Sequence, residues 1–475
     1  MKSFRRVTKL LVVVALILLC APQSTAQVAP VVPVGKVVEK VALRARPDQS
    51  YAAFLPSNYT PERTWPTIFC LDPRARGKIA IERFVEAAEK FGYIVVCSNN
   101  SRNGLNGAAV SQIFTDLWDD THARFSIDEK RTFAAGFSGG ARLAVSFASR
   151  CQGCLAGVIA GGAGFPSGIE PDARTSFLFF GVAGVDDFNF GEMLNLDKKL
   201  SELKVPHRFE SVAGGHEWTP KDAILEAVAW LTFHAMKAGV APKDEKFIDE
   251  QFSLRMATAE RFSRDKQYVD SLRAYREVAR DFEGLRDVKL ANDQADLLAR
   301  SELLRKEEKA QAEAYLKQLR EAGEIRSLWM KPFDAEQSKS FRFEATMRID
   351  DWRKKRELAI DSSDRRLARR VLSQLTVESY ETAQPSLAAK DYSQALANFQ
   401  LAQAIDPKNA NLSFEIARVY ALKRQKKPAI ESLEQAVELG FKDAERLKSE
   451  EAFAEFASDP RYQKLLTTLS TTQKQ

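Results

Sequence analysis

Residues 136–140 read Gly136-Phe137-Ser138-Gly139-Gly140. A serine hydroxyl becomes a nucleophile only where a base takes its proton, and a five-residue G-x-S-x-G pattern is short enough to arise by chance. Its surroundings give it weight. "RTFAAGF" before it reads as a strand, and "GGARLAVSFASR" after it reads as a helix of small and apolar residues. The flanking glycines then allow a sharp strand-to-helix turn that carries the Ser138 oxygen to the exposed end of a sheet. Gly139 would open the helix, with its N–H and the positive end of the helix dipole facing a developing oxyanion.

The sequence contains four histidines. His122 lies in or just after a helix and precedes the serine, His207 starts a strand, and His234 sits inside the helix running to Ala241. His216, in "AGGHEW", follows a strand and two glycines, in a loop at the carboxyl edge of the sheet. It alone has the order and position of a base for Ser138. A third group must hold the imidazole. The strand in "SFLFFGVAGVDDFNF" ends in Gly184-Val185-Asp186-Asp187. Either carboxylate could orient His216, and either could instead cap the helix beginning near Phe190.

These residues need a frame. From Gly35 to about Val240, short apolar runs alternate with helical stretches such as Ile79 to Phe91 and Ala108 to Ala123. The runs are "YAAFLP", "PTIFCLD", "GYIVVCSNN", "RTFAAGFS", "LAGVIAGG", "SFLFFGVAG" and "HRFESVAGG". Near-continuous apolar strands alternating with helices predict an α/β domain with a mostly parallel sheet covered on both faces. In such sheets ligands bind at the carboxyl ends of the strands.

After a polar linker over 241–250, the pattern becomes all-helical through 470. Ala383, Ala395, Phe399, Ala402 and Ile405 recur 34 residues later as Ala417, Ala429, Leu433, Ala436 and Leu439. This spacing, clearest over 376–440, resembles the tetratricopeptide repeat, in which small residues let two antiparallel helices approach closely. Ala259, Ser271, Tyr275 and Val278 repeat the same internal offsets upstream. The stretch from about Leu285 to Leu375 reads as helical without assignable repeats, and the basic run Arg353 to Arg370 reads as a solvated helix face. Stacked repeats of this kind present concave surfaces to other chains. A protein partner is therefore expected, from a module separable from the α/β domain.

The serine elbow and the order Ser, Asp, His give residues 35–240 a resemblance to the α/β-hydrolase superfamily, near the secreted esterases related to polyhydroxybutyrate depolymerases and feruloyl esterases. The resemblance implies a serine hydrolase acting on an ester, with peptide cleavage or an inactive scaffold as the alternatives, and no cofactor or metal is expected. It also places the acid three residues after the glycine that ends its strand, at Asp187, with Asp186 as the alternate. A second oxyanion N–H would come from the loop "LDPRARG", Leu71 to Gly77. Many relatives carry His-Gly in that loop and this sequence does not. Pro73 has no N–H, which leaves the amides of Arg74 or Asp72. The Arg74 and Arg76 side chains either attract an anionic substrate group or are solvated. Larger lids are often inserted between the strands "LAGVIAGG" and "SFLFFGVAG". Only Pro166 to Thr175 separate them here, which implies an open cleft lined by Phe137, Phe188, Asn189 and Trp218 and able to take a bulky or polymeric acyl group.

The N-terminus reads as a secretory signal peptide over 1–26. Lys2, Arg5, Arg6 and Lys9 precede an apolar run from Leu10 to Cys20, and Ser24-Thr25-Ala26 offers a cleavage site. A membrane span needs roughly 20 apolar residues, and this run is shorter. Leu19 is bulky for a lipidation site at Cys20. Export, with the periplasm as destination, is the expectation, and the membrane is met only through the cleaved signal. Export permits disulfides. Cys151-Gln152-Gly153-Cys154 follows a helix and precedes a strand, which fits a local disulfide or two inert thiols rather than a zinc half-site or a redox pair. With 70 basic and 64 acidic residues, a net charge of +6 gives no pointer to nucleic acid.

Overall fold

The computed structural model describes residues 32–329 and 347–472. The signal peptide expected over 1–26 lies outside these residues. Eight strands form one sheet: β1 (Val37–Ala42), β2 (Ser50–Phe54), β3 (Trp65–Leu71), β4 (Ile94–Ser98), β5 (Ile127–Phe137), β6 (Gly157–Gly161), β7 (Leu178–Gly184) and β8 (His207–Val212). Their order is β1-β2-β4-β3-β5-β6-β7-β8. β2 runs antiparallel to both β1 and β4, and every pair from β4 to β8 is parallel. β1 escaped the reading of apolar runs. It is an edge strand, "VVEKVA", whose residues are largely exposed or half-buried and include Glu39 and Lys40, as an edge that must not pair with other chains requires.

Helices cover both faces. α1 (Gly77–Phe91) and α5 (Lys221–Lys237) pack on one face against Ile68, Phe133 and Phe180. α2 (Gly107–Arg124), α3 (Gly139–Arg150) and α4 (Phe190–Glu202) pack on the other, where Phe69, Ala134 and Val158 point. Neighbouring residues thus feed opposite cores, as the pleat dictates. Both faces are covered, so the central strands read as unbroken apolar runs. This order, with the serine turn after β5, is the α/β-hydrolase fold.

The described residues beyond Val240 contain helices and no strand. They are α6 (Glu245–Arg264), α7 (Tyr268–Phe282), α8 (Lys289–Ala299), α9 (Glu302–Trp329), α10 (Ile349–Arg356), α11 (Ser363–Ala388), α12 (Tyr392–Ile405), α13 (Ala410–Leu422), α14 (Lys426–Glu438), α15 (Ala444–Ser449) and α16 (Pro460–Thr472). A single 3₁₀ turn, Glu451–Phe456, lies between the last two. The repeat positions explain the pairing. Ala383, Ala395, Phe399, Ala402, Ala417, Ala429 and Ala436 are fully buried where α11 meets α12 and α13 meets α14. The upstream copy behaves alike. Ala259 and Ser271 are buried, and the Ser271 hydroxyl donates to the Ala259 carbonyl at 3.0 Å across the α6–α7 pair.

Residues 241–250 are not a spacer throughout. Asp244 accepts the Phe247 amide as an N-cap, and α6 already begins at Glu245. The α6–α7 pair then docks on α5 and β8. Phe233 of α5 shares a core with Ile248, Tyr275 and Phe282, and Trp230 donates its indole N–H to Asp281 at 2.8 Å. The module expected to be separable is thus in contact with the α/β domain, because Phe233 on the outer side of α5 is covered by the first helical pair.

Candidate active site

Ser138 joins β5 to α3 with φ 53° and ψ −121°, a left-handed conformation that side-chain-bearing residues rarely adopt. Its amide donates to the Gly161 carbonyl at 2.8 Å. The glycines two positions either side have a steric reason. A Cβ at Gly136 would lie 2.3 Å from the Gly140 carbonyl carbon, and one at Gly140 would lie 2.1 Å from the Leu71 carbonyl oxygen. The strained turn therefore fits only with hydrogen in both places, and it holds the hydroxyl above the sheet's carboxyl edge.

The residues that follow β7 and β8 reach the same point. His216 Nε2 lies 2.8 Å from Ser138 Oγ, and His216 Nδ1 lies 3.0 Å from both Asp187 oxygens. This spacing places the imidazole proton on Nδ1, toward the carboxylate, and leaves Nε2 free to accept from the serine. The side chains of His216 and Asp187 are almost wholly buried. Asp187 also accepts the Asn189 amide at 2.8 Å, and the Asn189 side chain donates to the Gly162 carbonyl at 2.7 Å. Of the two candidate acids, Asp187 meets the histidine, while Asp186 turns away to Arg369. The other histidines sit elsewhere. His122 stacks on Trp118, His207 bonds the Val205 carbonyl, and His234 lies beside Asp281.

Phe188 and Phe137 flank the imidazole, with ring centroids 4.3 and 4.7 Å from it. Phe188 is half-buried, in keeping with a wall of the site. Phe137 and Trp218 are not cleft-lining. Both belong to the core under the site, and the indole N–H of Trp218 is used up by Asp72 Oδ2 at 2.7 Å. A buried indole needs such a partner, so Trp218 supports the site from below.

Asp72 organises the loop after β3. It takes the Arg74 amide at 2.7 Å, the Arg76 amide at 3.2 Å and two guanidinium bonds from Arg76 at 2.9 and 3.0 Å. Burial pushes its carboxyl up, but the hydrogen bonds from Arg76, Trp218 and Arg74 outweigh this and hold it below the usual range. The sequence offered the amides of Arg74 or Asp72 as an oxyanion donor, of which Arg74 N–H donates to Asp72 Oδ1. The structure turns that N–H back into its own loop. The Arg76 guanidinium is likewise paired with Asp72 rather than open to an anionic substrate, and the Arg74 guanidinium lies over the Tyr380 ring at 5.2 Å.

Tyr380 belongs to α11, and the helical region stands over the catalytic edge. Gln318 of α9 donates to the Phe188 carbonyl at 2.7 Å, and Tyr315 packs on Gly191, where an added Cβ would sit 2.2 Å from the ring. Arg369 pairs with Asp186 at 2.6 Å, and Arg370 donates to the Val185 carbonyl. Burial pushes the Arg370 guanidinium down to about 10. Asn103 Nδ2 meets Glu381 Oε1 at 2.6 Å. Two expectations change. The cleft expected to be open is bordered by α9 and α11, which meet the loops after β4 and β7. The basic run is not wholly solvated, because Arg369 and Arg370 face the acidic loop after β7. The hydrogen bonds among these contacts link residues 130 to 278 positions apart, and no local pattern announces them.

Cys151 and Cys154 form a disulfide beyond α3, and Cys70 and Cys97 are buried free thiols on adjacent strands. Among the described residues no group of three or more His, Cys, Asp or Glu side chains is placed to hold a metal ion.

A family model for the tetratricopeptide repeat matches residues 386–449. No curated protein matches the chain. Among solved structures, the chain is similar to a fluorophosphonate-binding serine hydrolase of Staphylococcus aureus at 18% identity, covering 39% of this chain and 92% of that one with a TM-score of 0.33. It is similar to an S-formylglutathione hydrolase of the same organism at 18% identity, 43% and 99% coverage and a TM-score of 0.35. A ferulic acid esterase aligns at 20% identity, 42% and 97% coverage and a TM-score of 0.35.

Proposed function

We propose that the protein is an exported serine hydrolase that cleaves carboxylic esters, with repeats that also engage a protein partner. The observation that carries this reading is the unbroken relay from Ser138 through His216 to Asp187, mounted on a strained turn at the carboxyl edge of the sheet. His216 Nε2 removes the Ser138 proton as Oγ attacks the acyl carbon. Asp187 holds the imidazole and stabilises its charged form. The tetrahedral oxyanion forms beside Gly139 N–H at the start of α3. Collapse expels the alcohol, which takes the proton from His216. Water, activated by the same histidine, then releases the acid and restores Ser138. The helices over the site favour an ester that threads beneath them over a polymer surface. The basic and apolar N-terminal run supports export to the periplasm.

A fluorophosphonate probe traps activated serines and tests the nucleophile directly. The native protein is expected to label at Ser138 and to turn over p-nitrophenyl acyl esters, and Ser138→Ala is expected to do neither. Labelling that persists in Ser138→Ala would remove Ser138 from the role.

A further inference from the structure

Several arginines around the catalytic edge are neutralised where they stand. Arg76 is held by Asp72 at 2.9 Å, Arg142 by Glu192 at 2.8 Å, Arg369 by Asp186 at 2.6 Å and Arg418 by Glu415 at 2.9 Å. Arg74 and Arg102 differ. Both are exposed, and among the described residues neither guanidinium has a carboxylate partner. The backbone nevertheless sets them against each other. Arg74, after β3, and Arg102, after β4, face each other in an isolated antiparallel bridge. Beside it the Asn103 amide donates to the Pro73 carbonyl at 2.9 Å. A bond in that flanking position makes Arg74 and Arg102 a narrow, non-hydrogen-bonded pair, in which Cα atoms are about 4.5 Å apart and both side chains leave from one face. Like charges directly opposite one another are destabilising. The fold thus holds a repulsive pair that a bound anion would relieve.

We infer that Arg74 and Arg102 form a subsite for a carboxylate carried by the ester substrate, beside the nucleophile. The inference rests on the serine-hydrolase reading above. Asn103, which follows Arg102, lies against the residue after the serine, since a Cβ on Gly139 would sit 2.0 Å from Asn103 Oδ1. The arginine pair is therefore one residue, about 3.8 Å of chain, from a side chain that borders the catalytic turn. The Arg74 guanidinium lies over the Tyr380 ring of α11 at 5.2 Å, a cation–π contact that steadies the group without neutralising it. The Glu381 carboxylate stands beside the same loop. It accepts from Asn103 Nδ2 at 2.6 Å and sets one negative charge against two positive ones. Guanidinium groups present fixed forks of N–H donors that match a carboxylate. Two of them on one face favour a carboxylate-bearing ester over a neutral one. Arg74 and Arg102 are specificity residues and take no part in the chemistry at Ser138.

The test uses the full mature chain and pairs of esters that differ in one charge. Mono-p-nitrophenyl adipate and p-nitrophenyl hexanoate carry or lack a carboxylate on the acyl side, and p-acetoxybenzoate and its methyl ester do so on the alcohol side. The native protein is expected to favour the charged member of at least one pair by roughly tenfold in kcat/KM, as two exposed ion pairs would give. Salt at about 0.5 M is expected to erase most of that preference. Arg74→Ala and Arg102→Ala are each expected to lower the charged-to-neutral ratio about three- to fivefold, and together to abolish it. Arg102→Lys keeps the charge and is expected to retain part of the preference, whereas Arg102→Gln is expected to match Arg102→Ala. The ratio cancels any general loss of folded enzyme. Free adipate is expected to slow fluorophosphonate labelling of the native protein and not of the double variant. If the native protein neither labels nor hydrolyses the neutral esters, the hydrolase reading fails and takes this subsite with it. If it does both but shows no preference in either pair, or a preference that survives in the double variant, the subsite alone is overturned. Equal protection of the native protein and the double variant by adipate would overturn it as well.

Discussion

The helical region touches the hydrolase domain along two seams of different character. At the first, α6 and α7 close over α5 and the free edge of β8. Phe233 is built into an apolar core with Ile248 and Phe282. Arg255 pairs with Glu226 at 2.5 Å, Arg208 lies between Glu210 and Glu277, and the Phe209 amide of the edge strand donates to Glu277 at 3.2 Å. These charged side chains border a cavity of about 220 Å³. At the second seam, α9 and α11 meet the loops after β3, β4 and β7 mainly through individual polar and cation–π contacts, with Tyr315 packed on Gly191. Arg369 is about a third exposed, and the core containing Ile325, Leu372 and Leu401 includes no residue of the sheet domain. The first seam is a continuation of the fold. The second is a set of adjustable contacts above the chemistry. Stability is expected to reside in the first and control of the site in the second.

Cutting the chain should separate the two most sharply. A truncation at about Lys243 uncovers Phe233, Trp230 and Arg208, all buried in the whole protein, together with the half-buried Glu210. Exposed apolar surface and uncompensated charges are costly, so the fragment is expected to be insoluble or molten. Circular dichroism and gel filtration check this. A folded, monomeric fragment would show the first seam to be dispensable.

The adjacent acids divide between the two tasks. Asp187→Asn removes the charge that orients His216, and kcat is expected to fall on the order of 10⁴-fold. Asp186→Asn weakens only the pair with Arg369 at the second seam, so kcat is expected to stay within about tenfold of native. Steady-state turnover of p-nitrophenyl acetate decides, and the reverse ranking would reassign the acid.

Much of this division was legible in the sequence and some of it was not. The turn around Ser138, the order of acid and base, and the 34-residue recurrence all rest on local spacing, which sequence preserves. Asp187 was singled out over Asp186 by the family resemblance rather than by spacing, and its carboxylate lies against His216. The edge strand β1 was missed because its charged residues break the apolar run. Arg74 was chosen as a donor by position along its loop, whereas Asp72 captures that amide through a turn two residues long. Asn103, Arg369 and Gln318 were invisible for a different reason. Each is an ordinary polar residue in a loop or on a helix, and only the docking of distant segments gives it a partner.

The first seam should also respond to acid. Burial raises the Asp281 carboxyl, but Arg280, His234 and the Trp230 indole outweigh it and hold the group well below the ordinary carboxylate value. A depressed folded value contributes stability above the unfolded value, about 3.9, and loses it as the pH falls further. Glu210 and Glu277, raised by burial, work in the opposite sense, so the comparison is with Asp281→Asn, which shares them. At about pH 7 the variant is expected to be roughly 3 kcal/mol less stable. The gap is expected to narrow steadily from about pH 4 downward. Thermal melts of both proteins across that range check it, and a gap that stays constant would mean that Asp281 is not held ionised by its partners.

The smallest effect belongs to the second seam. Arg369 meets Asp186 at 2.6 Å with about a third of its side chain in solvent. An ion pair with that much water around it contributes about 0 to 1 kcal/mol, so Arg369→Ala is expected to lower the melting temperature by only a few degrees. Its consequence for turnover should depend on the substrate. A short acyl ester needs little room, and its rate is expected to change by less than about twofold. A long acyl chain is expected to reach past α11, so loosening the helix from the loop after β7 is expected to raise its kcat/KM relative to the short one. The ratio of the two rates, measured for native protein and variant side by side, isolates the effect from any general loss of folded enzyme. A melting shift as large as that of Asp281→Asn would make the two seams energetically alike. An unchanged ratio would leave α11 a neighbour of the site without influence on what enters it.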